Sequence, residues 1–214
     1  AQNQLTTVSF IDAVSGLSEL YLDFQQDEFS NYTMPGIDGI NNVPLLTNLS
    51  INNMGITYIN GFQNTGLEEI YLSLSDNGFV SITTIGNDAF TGSPITGLEF
   101  DGHAITTLAF LDNLDTVEIL DLGLNTVDFS GFSGIPLELT LTTLTLHNAQ
   151  SITDFSYLVD YDILESLTIQ SDLTEITNLD DLDGLTELTI GEETILTISN
   201  SFNNMPSFEP SVDY

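Results

Sequence analysis

The six-residue pattern L-x-x-L-x-L, with Ile, Val or Phe accepted at the apolar positions, occurs eight times in this chain of 214 residues. It reads LSELYL (17–22), LTNLSI (46–51), LEEIYL (67–72), ITGLEF (95–100), VEILDL (117–122), LTTLTL (141–146), LESLTI (164–169) and LTELTI (185–190). The central apolar residues are Leu20, Leu49, Ile70, Leu98, Leu120, Leu144, Leu167 and Leu188, spaced by 29, 21, 28, 22, 24, 23 and 21 residues. Alternation of apolar and polar positions at the end of each motif is the period of a half-buried strand. A unit this short cannot bury its own apolar face, so each must be covered by the next. The repeat therefore predicts stacking of coils.

Between the motifs run ITTLAFLDNLDT (105–116), ITDFSYLVDYD (152–162) and LTEITNLDDLDG (173–184). Close apolar spacing broken by Asp, Asn and Gly fits a short 3₁₀ or extended return rather than a full helix. These features resemble leucine-rich repeats. LTELTI and ITDFSYLVDYDILESLTI resemble the internalin type, and ITTIGNDAFTGSPITGLEF (82–100) resembles the BspA-like type with its IG-x-x-AF-x-G segment. The resemblance covers about residues 17–198. It implies a mostly β solenoid of about eight coils, with a parallel sheet on the concave face and a 3₁₀ or extended convex side. Residues 1–16 are expected to cap it through a strand in LTTVSFIDA (5–13), with Leu5, Val8 and Phe10 at strand spacing. Residues 199–214 are expected to form a short cap using Phe202, Met205 and Phe208.

The resemblance also implies a buried Asn ladder three residues after each strand. Those positions hold Gln25, Met54, Ser75, His103, Asn125, Ala149, Asp172 and Glu193, so the ladder is nearly lost. The turns must then be satisfied by other means or shift register, with Asn53 and Asn148, one residue early, as candidate substitutes. His103 reads as a structural residue in the ladder.

The chain has no Lys or Arg against 32 Asp and Glu, a formal charge of −32. Ordinary usage would supply roughly 25 bases at this length. Nothing can neutralise phosphate, which excludes nucleic acid and anionic membrane surfaces as partners. The absence of Cys removes disulfides and thiol chemistry. Trypsin-like proteases find no site. The chain begins AQNQ without Met, as a secreted protein would after loss of its leader. The expected location is extracellular or at the cell surface.

On the strand face the central column reads Tyr21, Ser50, Tyr71, Glu99, Asp121, Thr145, Thr168 and Thr189, flanked by Glu19, Glu69, Asp23, Asp101, Thr143 and His147. Tyr21, Tyr71, Glu99, Asp101, Asp121 and His147 are the candidate binding residues. Glu99, Asp101 and Asp121 form a candidate Ca²⁺ cluster, the only cofactor the sequence suggests. The acidic stretch NLDDLDGLTEL (178–188) fails the EF-hand spacing, with Leu179 at the first ligand position and Ile190 where Glu is required. Its Asp180, Asp181 and Asp183 read as an acidic convex turn, with a weak, exposed Ca²⁺ site as the alternative. NYT (31–33) and NLS (48–50) are formal glycosylation sequons. No HExxH or serine-nucleophile motif accompanies the two His, so no enzyme is expected. The first expectation is a self-assembling structural subunit forming a filament, layer or matrix, with divalent cations bridging copies. The alternative is an adhesin-like module holding a protein or glycan on its concave face.

Overall fold

The computed structural model describes residues 5–23, 31–32, 34–123, 125, 127, 132–138, 140–147, 155–170, 175–176, 182–190 and 197–198. In it, every motif centre falls on a strand: β1 (Glu19–Tyr21), β3 (Asn48–Ser50), β5 (Glu69–Tyr71), β7 (Gly97–Glu99), β8 (Ile119–Asp121), β9 (Thr143–His147), β10 (Ser166–Gln170) and β12 (Glu187–Ile190). These front strands pair in parallel with their central residues in register, as in Leu20 with Leu49, or Leu98 with Leu120. Residues one place either side of each centre face outward, as strand alternation requires. The chain is mostly β, its parallel sheets stacked as a solenoid. Expected as about eight coils under one sheet, the front has about six turns of unbroken ladder, β5-β7-β8-β9-β10-β12. β1 and β3 form a separate pair.

The return legs carry β2 (Gly36–Ile37), β4 (Tyr58–Ile59), β6 (Thr84–Ile85), β11 (Glu175–Ile176) and β13 (Thr197–Ile198). Parallel pairing of β2, β4 and β6 makes a back sheet whose Ile37, Ile59 and Ile85 are buried in the core. Later returns contain the expected 3₁₀ turns, at Ala109–Leu111 and Ser156–Leu158. Among the described residues, no helix is long and apolar enough to cross a membrane.

Residues two places before the front-strand centres form a hydrogen-bonded seam. Each carbonyl, from Glu68, Thr96, Glu118, Thr142 and Glu165, accepts two amide N–H groups of the next coil at 2.7–3.1 Å. The hydroxyls of Thr96, Thr142 and Thr186 also donate back to the carbonyls of Glu68, Glu118 and Glu165. From Glu68 onward the column thus alternates Glu and Thr. This keeps its carboxylates two strand spacings apart, about 9.5 Å, instead of stacked at about 4.8 Å. In a chain without Lys or Arg, no ammonium or guanidinium side chain is available to offset that repulsion.

The capping strand expected within 5–13 is instead a 3₁₀ helix, Ser9–Ala13. Val8 and Ile11 are buried, and Phe10 is 56% exposed. A spacing of three places Val8 and Ile11 on one side of a 3₁₀ turn. The Asp12 carboxylate accepts the Asn41 N–H at 2.6 Å, tying the helix to the next coil. The expected cap at 199–214, with Phe202, Met205 and Phe208, lies outside the described residues, as do Asn148, Asp180 and Asp181.

The turns after the strands are held by a ladder that sequence spacing only half reveals. Asn125 accepts the Ile105 N–H on Oδ1 and donates through Nδ2 to the carbonyls of Phe100, Leu122 and Gly123. His103 makes the equivalent bonds one coil earlier: Nδ1 accepts the Ile82 N–H at 3.2 Å, and Nε2 bonds the Leu72 carbonyl at 2.8 Å. Only the neutral tautomer protonated at Nε2 satisfies both. Earlier still the role passes to Asn77, not to Ser75: its Oδ1 accepts the Ile56 N–H, and Nδ2 donates to the Ile56 and Val80 carbonyls. Asn53 is not the substitute; it occupies a left-handed turn (φ 54°), and Met54 is fully buried.

Burial lowers the His103 pKa below its usual value, against smaller raising effects of the Leu72 carbonyl and Asp101. In the unfolded chain His103 titrates near 6.5. Between the two values the unfolded state holds more protons, so His103's contribution is present above about pH 6.5 and is lost as pH falls below it, by up to about 1.4 kcal/mol per unit. H103N, which has no proton to take up, is expected to gain on the wild type as pH drops from 7.5 to 5. Paired thermal melts would measure this, and a gap independent of pH would contradict it.

Candidate functional site

The outward face of the front sheet changes character along the stack. At its start Tyr21, 59% exposed, donates its hydroxyl to Glu19 at 3.4 Å and accepts the Asn48 amide at 3.3 Å. Asp23 ties the same coil to the next, with Oδ1 accepting the Ser50 hydroxyl at 2.6 Å and the Asn52 N–H at 2.8 Å. Tyr71 leans over Gly97: a Cβ there would meet the Tyr71 oxygen at 2.9 Å. Gly97 thus gives the ring room to lie across the sheet. Burial, then the charge and hydrogen bond of Glu69 and the charge of Glu99, raise the Tyr71 pKa above its usual value. The phenol therefore stays a hydrogen-bond donor throughout the physiological range.

Glu99 and Asp121 face each other directly in register, the one paired position among the described front strands where two acids meet. The sequence spacing anticipates this pair. Asp101 lies in the turn beyond β7, and Asp121 Oδ1 accepts the Gly123 N–H at 2.8 Å within its own turn. Among the described residues, no three His, Asp or Glu are grouped as a cation would require. The expected Ca²⁺ cluster of Glu99, Asp101 and Asp121 is therefore not gathered. His147 is the last residue of β9, in register with Gln170, and its side chain lies outside the described residues.

Carboxylates in direct register repel, at a cost of a few tenths to about 1 kcal/mol. D121N retains the acceptor for Gly123 and removes one charge, so it is expected to stabilise the fold by that amount. Urea unfolding should show a larger gain at 20 mM than at 500 mM salt, since salt screens the pair. A loss of stability at both would show that the pair is not under strain.

The largest departure from the sequence expectation lies between β3 and β5. Their motifs, LTNLSI and LEEIYL, are as regular as the others, yet the two strands do not pair. The parted strands leave a cleft of about 440 Å³ lined by Asn48, Leu49, Glu68, Glu69, Ile70 and Tyr71, among others. Leu49 is only half-buried, whereas the six centres from Ile70 to Leu188 are 0–4% exposed. Glu68, Glu69 and Tyr71 at the rim are exposed. Sequence reasoning found Tyr71 but could not find the opening, because its signal is a missing ladder rather than a residue. Neither a protein-family model nor a curated protein matches the chain.

Proposed function

We propose that this chain is a non-enzymatic recognition module of the leucine-rich repeat kind, acting outside the cell and holding a partner on its front sheet between Tyr21 and Asp121. The observation that carries the reading is the open seam between β3 and β5. It places a half-buried leucine, an exposed tyrosine and two carboxylates around one concavity on an otherwise closed sheet. Tyr71 and Tyr21 offer broad contact area with little rotamer entropy to lose. The repeated motif and the IG-x-x-AF-x-G segment support the leucine-rich repeat assignment, and the lack of any trypsin site suits an extracellular setting.

Self-assembly, the first expectation from sequence, is weakened by charge. Each copy carries −32 with no Lys or Arg to offer the next, and among the described residues no three acids are gathered as a cation would require. Sedimentation velocity at high concentration, with and without Ca²⁺, is expected to give a monodisperse monomer. Concentration-dependent polymers in either condition would overturn recognition in favour of assembly.

A further inference from the structure

We propose that the cleft between β3 and β5 receives an extended, basic segment of a partner protein, seated between the two strand edges; this rests on the recognition reading above. The opening is confined to the front of the stack. Behind it, β4 and β6 pair through Tyr58 with Thr84 and Ile59 with Ile85, so the two coils are joined at the back. Before the strands, Gly66 sits so close to the Pro44 carbonyl that a Cβ would lie 2.5 Å from it. After them, the Asn53 N–H donates to the Asp76 carbonyl. The coils are pinned on three sides, and only the strand segments part.

What the parting exposes defines the occupant. β3 pairs only with β1 and β5 only with β7, so the edges facing the cleft have no strand partner. Such edges bind an extended main chain by adding a strand. Half-buried Leu49 and the nearly fully buried Ile70 give a small apolar patch in a lining that is otherwise mostly polar, and the rim carries Glu68, Glu69 and Tyr71. A Lys or Arg side chain matches that division, its methylene stem on the leucine and its charged head among the carboxylates. The Tyr71 ring adds a face on which a guanidinium stacks. No group of that kind exists in this chain, which has no Lys or Arg at all. The partner must supply it, and the field of a −32 protein steers a basic segment inward.

The test is a two-dimensional NMR titration of the full chain at 150 mM salt. The probe is an N-acetylated octapeptide alternating Thr with Arg, against matched peptides carrying Gln or Glu in place of Arg. Saturable shifts are expected on amides 47–51 and 66–72 with the Arg peptide alone. E69Q and Y71A should each weaken it about tenfold, a change of about 1.4 kcal/mol. E187Q removes the same charge from the same outward column further along the sheet, and should change affinity less than twofold. Equal weakening by E187Q, or shifts spread over the whole acidic face, would reduce the binding to general charge attraction and overturn the proposal. Shifts at the cleft with a neutral oligosaccharide and not with the Arg peptide would overturn the basic partner while leaving recognition intact. No front-sheet shift with either probe would count against both.

Discussion

Replacing Phe90 with Ala is expected to lower the unfolding free energy by about 4 kcal/mol, the cost of deleting a fully buried ring from a core that collapses only partly. Phe90 stacks on Phe62 at 6.3 Å and 3°, lies 6.3 Å from Phe100, and meets Phe110 edge-on at 6.2 Å. It thereby joins the return of one coil to the next return and to a front strand. In a stack where each coil is held only by its neighbours, such a residue carries two interfaces at once. F90A should lower the urea midpoint strongly and broaden the transition, as the halves on either side lose their coupling. F90L, which keeps most of the volume, should lose less than half as much. A change below about 1 kcal/mol for F90A would mean that the rings are not what couples these coils.

The second large effect is expected at Asn125, whose four hydrogen bonds close the turn after β8. In N125A the buried Ile105 N–H and Phe100 carbonyl lose their side-chain partner. Each such group costs about 1–3 kcal/mol, so a loss of about 3 kcal/mol or more is expected. N125D separates the two halves of the role. Its carboxylate still accepts the Ile105 N–H but sets an acceptor against three carbonyl oxygens. It should be at least as damaging as N125A at neutral pH and recover partly in acid, where the protonated carboxyl donates. Equal stability of N125D at pH 7 and pH 5 would contradict a donating role for this side chain.

The front-strand positions were legible in the sequence because strand alternation and burial act on the same residues: each motif centre, from Leu20 to Leu188, sits on a strand and faces the core. The break between β3 and β5 was not legible. LTNLSI and LEEIYL specify which side chains point inward, and that requirement is met whether or not the strands touch. Pairing of the backs through β4 and β6, and the tight approach of Gly66 to Pro44, settle the spacing of those coils instead. The turn ladder was half legible for a similar reason. Its geometry asks for one acceptor and one donor, which Asn125 and the neutral imidazole of His103 both provide. Extra residues in the third unit move the role to Asn77, which fixed-offset counting passes over. The entry helix was misjudged because Leu5, Val8 and Phe10 fit a strand on paper, while Val8 and Ile11 bury together on a 3₁₀ turn.

At the candidate site, alternation correctly brought Glu99 beside Asp121 and set Tyr21 and Tyr71 facing outward. It could not foresee that Asp121 would turn to the Gly123 N–H, nor that Gly97 would leave space for Tyr71. Both depend on side-chain direction, which periodicity does not carry.

The alternation of Glu and Thr at Glu68, Thr96, Glu118, Thr142, Glu165 and Thr186 bears on how such a chain can lengthen or shorten. Excising one internal coil, such as the one bearing Thr96, would bring Glu68 against Glu118 with no base available to separate them. Excising two neighbouring coils together restores the order. Losing a Glu-bearing coil, such as that of Glu118, would instead set Thr96 beside Thr142 at no such cost, so a lineage or an engineer resizing this solenoid should find removal of a Glu coil or of a neighbouring pair viable and removal of a Thr coil alone penalised.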